Sequence, residues 1–306
     1  MRGRIIVALA LAGSSVSAAP SAAPGDSCEK GLRILVARGT GEDKGTGLAG
    51  TVADSVASQI RGSTVVPIDY PATLVDPSYD ESLKAGAEAL QKAVNEHVKA
   101  CPDSKIVIMG YSQGAHITVD SICGGSGEPL NNITALPQKL VEDHVVAVVL
   151  FGDPTHIANV TYDKGTSTNN GIFPRVRASV EQCNVYADRL VSYCDKGDRY
   201  CDHGDVKEVH SEYFEKYDKE IVKFVVQKYD SFAKASATST ATATAATSSA
   251  TISPATSSAT HTNATTVTGA SATPTKPVAG AAAGLTLGHA LYLALPMMMM
   301  ASFQIL

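Results

Sequence analysis

Lys105-Ile106-Val107-Ile108-Met109 runs directly into Gly110-Tyr111-Ser112-Gln113-Gly114, and from there into Ala115 to Ile122. The opening run, short and rich in β-branched residues, reads as a strand, and the closing stretch is compatible with a helix. G-x-S-x-G between a strand and a helix is a nucleophile elbow, a sharp turn that strains the serine backbone and exposes its Oγ. A Cβ at either flanking glycine would collide with the neighbouring strand or helix. The pentapeptide alone is a weak signal. Its setting makes Ser112 the candidate nucleophile.

A serine hydroxyl is a poor nucleophile at neutral pH, so the elbow requires a base and an acid that orients the base. On folds built around this turn they follow in the order serine, acid, histidine. His116 lies one helical turn beyond Ser112 and reads as surface or packing, and His144 marks the start of the apolar run Val145 to Phe151. His261 and His289 fall in the low-complexity end of the chain, which leaves His156, His203 and His210. The segment Cys194-Asp195-Lys196-Gly197-Asp198-Arg199-Tyr200-Cys201 favours the last of these. Two cysteines seven apart can close a small loop, and a bridge there would hold Asp198 rigid. His210 follows twelve residues after Asp198, just before an amphipathic helix carrying Tyr213, Phe214, Tyr217, Ile221, Phe224 and Val225. A loop ending at a helix start can fold back over Ser112. His203 sits too close to Cys201 to swing freely.

The rest of the chain alternates strands and helices. Strands are expected at Leu32 to Ala37, Thr64 to Ile68, Val145 to Phe151 and around Asn184 to Ala187; helices at Leu48 to Ile60, at Tyr79 to Ala100 and from Ser211. Leu83, Ala87, Leu90, Val94 and Val98 line one face of the second helix. Alternation with continuous apolar strands predicts an α/β fold, a parallel sheet covered by helices on both faces. In such sheets a site forms at the carboxyl ends of the strands, where Thr40 and Ser112 both fall.

With Ala37-Arg38-Gly39-Thr40-Gly41-Glu42, the elbow, Phe151-Gly152-Asp153-Pro154, the Cys194 to Cys201 loop and Val209-His210 in this order, the chain resembles the secreted fungal cutinase and acetylxylan esterase family. These are small lidless α/β-hydrolases, and the likeness spans about Cys28 to Tyr229. It implies a three-layer αβα sandwich, Ser112 as nucleophile, Asp198 as acid and His210 as base. It also implies an oxyanion hole from the Gln113 N–H and from Thr40, and no cofactor. Such donors must face the oxygen that turns negative in the tetrahedral intermediate. At Gly41 this chain departs from relatives that carry a second hydroxyl residue.

The six cysteines, at 28, 101, 123, 183, 194 and 201, fit an oxidising compartment and allow fifteen pairings. The resemblance implies Cys28–Cys101, Cys123–Cys183 and Cys194–Cys201. A basic start, the apolar run Ile5 to Ala12 and a small-residue exit near Ala18 read as a signal peptide over residues 1–18. An esterase domain is then expected over 19–233. All 30 acidic residues precede Ser231, whereas four of the 25 basic ones lie in the opening and closing segments. The domain thus sets 21 basic against 30 acidic residues, a net charge of −9. That charge argues against nucleic acid or anionic lipid as a partner and suits a neutral ester.

From Lys234 the composition turns to Ala, Ser and Thr, about half of it Ser or Thr, and residues 234–279 read as an O-glycosylated stalk. Residues 280–306 form an apolar end with no basic flank, the pattern of a GPI-anchor signal and not of a retained span. Gly269-Ala270-Ser271 is the expected attachment region, with Gly269 favoured and Asn263 and Ser271 as rivals. Asn132, Asn159 and Asn263 open N-glycosylation sequons.

The polar stretch Asp202 to Val209 before the base favours short acyl esters on polysaccharide, and the polar block Tyr162 to Arg175 is similar to the acetylxylan esterase side of the family. Cutin or another lipid-like polyester is the alternative substrate. The absence of Trp speaks against a stacking carbohydrate-binding module. A monomer is expected. No metal is, because no His/Cys/Asp cluster at ligand spacing remains once the cysteines are paired. The competing class is a non-catalytic wall protein on an esterase scaffold.

Overall fold

The computed structural model describes residues 28–126 and 133–247. Six parallel strands form one sheet: β1 (Leu32–Ala37), β2 (Thr64–Pro67), β3 (Lys105–Tyr111), β4 (Val145–Phe151), β5 (Asp163–Gly165) and β6 (Leu190–Cys194). Their order is β2-β1-β3-β4-β6-β5, so β3, which ends in the elbow, is flanked by β1 and β4. The side-chain period of two divides each central strand between two cores. Ile106 and Ile108 of β3 face one, and Val107, Met109 and Tyr111 face the other.

Helices cover both faces. On one side α2 (Tyr79–Ala100) packs on α3 (Gln113–Cys123), which also meets α5 (Arg177–Asn184). On the other, α1 (Ala49–Gln59) packs on α6 (Tyr213–Thr247). The short α4 (Gln138–His144) leads into β4. α2 begins at Ser78, whose hydroxyl accepts from the Glu81 N–H while the Glu81 carboxylate reaches back to the Ser78 N–H. This capping box satisfies two otherwise orphaned donors. Leu83, Ala87, Leu90 and Val94 then recur at helical spacing and are buried. The architecture is a three-layer αβα sandwich of the α/β-hydrolase type.

Two expectations shift. The last long strand lies at Leu190–Cys194 and not around Asn184 to Ala187. Both stretches have β-forming residues, but Cys183 is bonded to Cys123 at the end of α3, which keeps residues up to Asn184 in a helix. Only the later stretch can then run beside β4, with Val148 opposite Leu190 and Phe151 opposite Tyr193. The last helix also runs on to Thr247, into the segment expected to be a stalk. Alanine is the best helix former and no Gly or Pro interrupts residues 234–247. The signal segment 1–18, Asn132, Asn263, the Gly269 region and the apolar end lie outside the described residues. Among the described residues no helix is long and apolar enough to cross a membrane.

Candidate active site

Ser112 sits between β3 and α3 with φ 54° and ψ −118°, a positive φ rarely adopted by a residue with a side chain. Its N–H is held by the carbonyl of Phe151 at 2.9 Å, which ties the elbow to the end of β4. A Cβ built at Gly110 would strike the Gly114 carbonyl, and one at Gly114 would strike the carbonyl of Ala37. Both glycines are therefore needed for α3 to lie this close to the sheet.

His210 closes on the serine from a 3₁₀ turn, Glu208–Ser211, that precedes α6. Its Nε2 is 2.9 Å from Ser112 Oγ and its Nδ1 is 2.8 Å from Asp198 Oδ2. Gly152 makes room for the ring, because a Cβ there would come within 2.7 Å of His210 Cε1. The Phe151-Gly152-Asp153-Pro154 motif thus has a steric role at the site. Tyr111 and Tyr200 flank the imidazole, with ring centroids 5.1 and 4.5 Å away.

Asp198 is fully buried. Its Oδ1 accepts from the N–H groups of Tyr200 at 2.7 Å and Cys201 at 3.0 Å, and its Oδ2 also accepts from the Tyr213 hydroxyl. Burial pushes the Asp198 carboxyl up, but the hydrogen bond and charge of His210, then the Tyr213 and Cys201 donors, outweigh it and hold it below its ordinary value. Asp198 is thus held as a carboxylate against the His210 ring. His203 and His156 are engaged elsewhere: His203 Nε2 lies 3.1 Å from the Gly171 carbonyl, and His156 Nε2 faces Asp163 at 3.5 Å.

On the other side of Ser112 stands the loop after β1. Arg38, buried, donates to the carbonyls of Glu42 at 2.9 Å and Tyr70 at 2.7 Å. The Glu42 carboxylate accepts from the N–H groups of Gly39 at 2.5 Å and Leu48 at 2.8 Å. Thr40 lies between these two residues in the chain, on the loop they hold. The Gln113 side chain is fixed by Ser82 Oγ and by the Thr73 carbonyl, each at 3.0 Å. As the first residue of α3, Gln113 has an N–H with no intrahelical acceptor, and it points out of the helix start beside Ser112. Neither Arg38, Glu42 nor Tyr213 stood out in the sequence as a site residue.

All six cysteines are paired, as Cys28–Cys101, Cys123–Cys183 and Cys194–Cys201. The last pair brackets Asp198. For so short a loop, replacing both cysteines by alanine should cost about 2.5 kcal/mol of stability by loop-closure arithmetic. Activity at a temperature where the variant stays folded should fall further than this loss explains, because Asp198 loses its support. Unfolding titrations beside turnover measurements check this. Glu29, His97 and Cys101 also lie close together, but the Cys101 sulfur is bonded to Cys28 and Glu29 pairs with Arg33. No thiolate is available there for a metal.

His116 is buried, with ring nitrogens 3.1 Å from the Tyr79 hydroxyl and 3.0 Å from Ser126 Oγ. Beside it, Asp120 pairs with Arg175 Nη1 at 2.7 Å, both out of solvent. Burial pushes the Asp120 carboxyl up, yet His116 and Arg175 together hold it below its ordinary value. Asp120→Ala should cost about 3–5 kcal/mol, since it strands a buried guanidinium. A carboxyl with a depressed folded pKa stabilises above its unfolded value of about 3.9 and loses that contribution as pH falls through the folded value. The wild-type protein should thus lose stability in acid more steeply than Asp120→Ala, as urea titrations across pH would record.

The sequence model of the cutinase family matches residues 27–229. The chain belongs to the cutinase family. It is 33% identical over 232 residues to cutinase 11 of Verticillium dahliae, covering 73% of this chain and 77% of that protein. To an acetylxylan esterase of Hypocrea jecorina it is 31% identical over 208 residues, 65% of this chain and 68% of the relative. The solved catalytic core of acetyl xylan esterase from Trichoderma reesei superposes with a TM-score of 0.61 at 32% identity, over 66% of this chain and 100% of that one. Like these cutinase-family relatives, the protein is a carboxylic ester hydrolase.

Proposed function

We propose that this cutinase-family protein hydrolyses esters through an acyl-enzyme formed on Ser112. The observation that carries this reading is the unbroken hydrogen-bond chain from Ser112 Oγ through His210 to buried Asp198. Ser112 Oγ attacks the ester carbonyl carbon while His210 Nε2 takes its proton. The carbonyl oxygen becomes negative and is received by the Gln113 N–H and by Thr40. Collapse expels the alcohol, which takes the proton back from His210. Water then repeats the sequence against the acyl-serine, releasing the acid and restoring Ser112. Asp198 stays ionised throughout, fixing the imidazole orientation and stabilising its cationic form. Labelling by a serine-reactive phosphonate, mapped to Ser112, tests the reading. A folded protein that neither reacts nor hydrolyses acetyl esters is the non-catalytic surface protein instead.

The preferred substrate is an acetylated polysaccharide. A polar cleft of about 540 Å³, lined by Arg38, Glu42, Asp43, Lys44 and Asp69, opens along the loop that carries Thr40 and suits a hydroxyl-rich chain. The relatives named acetylxylan esterase support the same choice. One observation favours cutin: Leu74 and Val75 are 57% and 82% exposed on the loop whose Thr73 carbonyl holds Gln113, and Val206 is 42% exposed beside the Asp198 loop. Turnover of a series from acetyl to long-acyl esters, with acetylated xylan and cutin alongside, separates them.

The reading extends to location. Three disulfides fit an extracellular protein, and Asn159, exposed on a loop, is open to an N-glycan. The composition of residues 234–306 supports a stalk and a lipid anchor at Gly269. Phosphatidylinositol-specific phospholipase should release the protein from intact cells. A mature C-terminal peptide containing Met297 to Leu306 would overturn the anchor.

A further inference from the structure

We propose that Tyr213 is a positioning residue of the hydrolytic site, its buried hydroxyl setting how strongly Asp198 supports the positive charge of His210. This rests on the Ser112–His210–Asp198 reading above. Asp198 Oδ2 takes two donors at once, His210 Nδ1 at 2.8 Å and the Tyr213 hydroxyl at 2.5 Å. The same hydroxyl accepts from the Asp195 N–H at 3.2 Å and lies 3.3 Å from Cys201 Sγ. It therefore ties the acid, the disulfide loop and the first turn of α6 together. Tyr213 is wholly out of solvent, and its ring lies beside His210 over Gly152, where a Cβ would approach it to 3.2 Å.

Burial, and then the negative charge of Asp198, push the Tyr213 hydroxyl far above its ordinary value, so it donates at every working pH. An oxygen that shares its charge between two donors gives less to each. Tyr213 thereby limits how far Asp198 stabilises the His210 imidazolium, which must return its proton to the leaving alcohol within each turnover. Without the hydroxyl, Asp198 would hold the imidazolium more tightly, and the base would be freed only at higher pH.

The other charged or titratable groups around this cluster have partners besides the Tyr213 hydroxyl. Asp195 is engaged by Lys216 Nζ and the Tyr217 hydroxyl, each at 2.8 Å, and Asp202 accepts from the Gly197 N–H at 2.7 Å. Tyr111 and Tyr200 flank His210, and Glu42 lies near Tyr111 at Gly39.

The test compares Tyr213→Phe with Tyr217→Phe, which also removes one hydroxyl from the same helix but touches Asp195 and not Asp198. Hydrolysis of a soluble acetyl ester is followed across pH. In Tyr213→Phe, kcat on the acidic side of the profile should fall roughly tenfold for each pH unit by which the limb moves, with KM within about twofold. The acidic limb of the profile should move to higher pH. Tyr217→Phe should leave that limb where it is. A ring-fluorinated tyrosine at position 213, a stronger donor of the same shape, should move the limb to lower pH, and it decides the matter if Tyr213→Phe does not fold. An unmoved limb in both position-213 variants, or an equal shift in Tyr217→Phe, overturns the proposal. Phosphonate labelling of Ser112 in the unaltered protein is run beside it. Its absence would sink the esterase reading, whereas labelling with an unmoved limb sinks only the role of Tyr213.

Discussion

Ser112→Ala should abolish ester hydrolysis, lowering kcat by about 10⁴- to 10⁶-fold, while the protein unfolds at the same denaturant concentration as the wild type. Removal of Oγ deletes the atom that forms the acyl bond, and nothing nearby can replace it at the mouth of the elbow. The fold has little reason to respond. Alanine keeps a Cβ, so the strain at φ 54° is unchanged, and the backbone bond from Ser112 N–H to the Phe151 carbonyl remains. The hydrogen bond lost is the one to His210, at the surface of the site. Residual hydrolysis should not exceed what an intact oxyanion hole supplies. Turnover within tenfold of wild type would sink the serine mechanism.

His210→Ala should be nearly as damaging, and His203→Ala should change kcat by less than about threefold. Without the imidazole, Ser112 keeps its proton, and the leaving alcohol has no acid to protonate it. Both halves of the reaction fail together, so this loss and that of Ser112→Ala should be far from additive in the double variant. His203 donates to or accepts from nothing in the chain to Ser112; its ring faces the Gly171 carbonyl. The reverse order of the two histidine variants would refute the assignment of the base. Steady-state kinetics of all three variants, with circular dichroism to check folding, provides the comparison.

Much of the site was legible because its parts obey local rules. Gly110, Ser112 and Gly114 declare a turn that only small residues permit, and the short apolar run Ile106 to Met109, rich in β-branched residues, declares the strand that leads into it. Asp198 could be singled out because Cys194 and Cys201 bracket it at a spacing that closes a loop. Tyr213 carried no such mark. Three residues beyond His210 and first in an amphipathic helix, it read as one more core aromatic. Its hydroxyl acquires a role only because α6 returns across the sheet and delivers that atom to Asp198. Arg38 and Glu42 were opaque for the same reason: their partners Tyr70 and Leu48 come from segments that the fold brings around Thr40.

The strand near residue 190 shows the limit from another side. Asn184 to Ala187 and Leu190 to Cys194 are both short and β-prone, and propensity cannot choose between them. The Cys123–Cys183 bond and the register against β4 choose the second. By itself, then, the sequence determined the elements whose pattern is local: the elbow, the parallel strands, the apolar face of helix α2 and the order of Ser112, Asp198 and His210 along the chain. The tertiary structure decided what depends on distant segments meeting: the place of β6, the hydrogen bonds that hold the loop carrying Thr40, the room Gly152 leaves for His210, and the second donor on Asp198. The physical reason is that periodicity and turn chemistry act within a few residues, whereas a buried hydrogen bond between Tyr213 and Asp198 exists only once both have left water together.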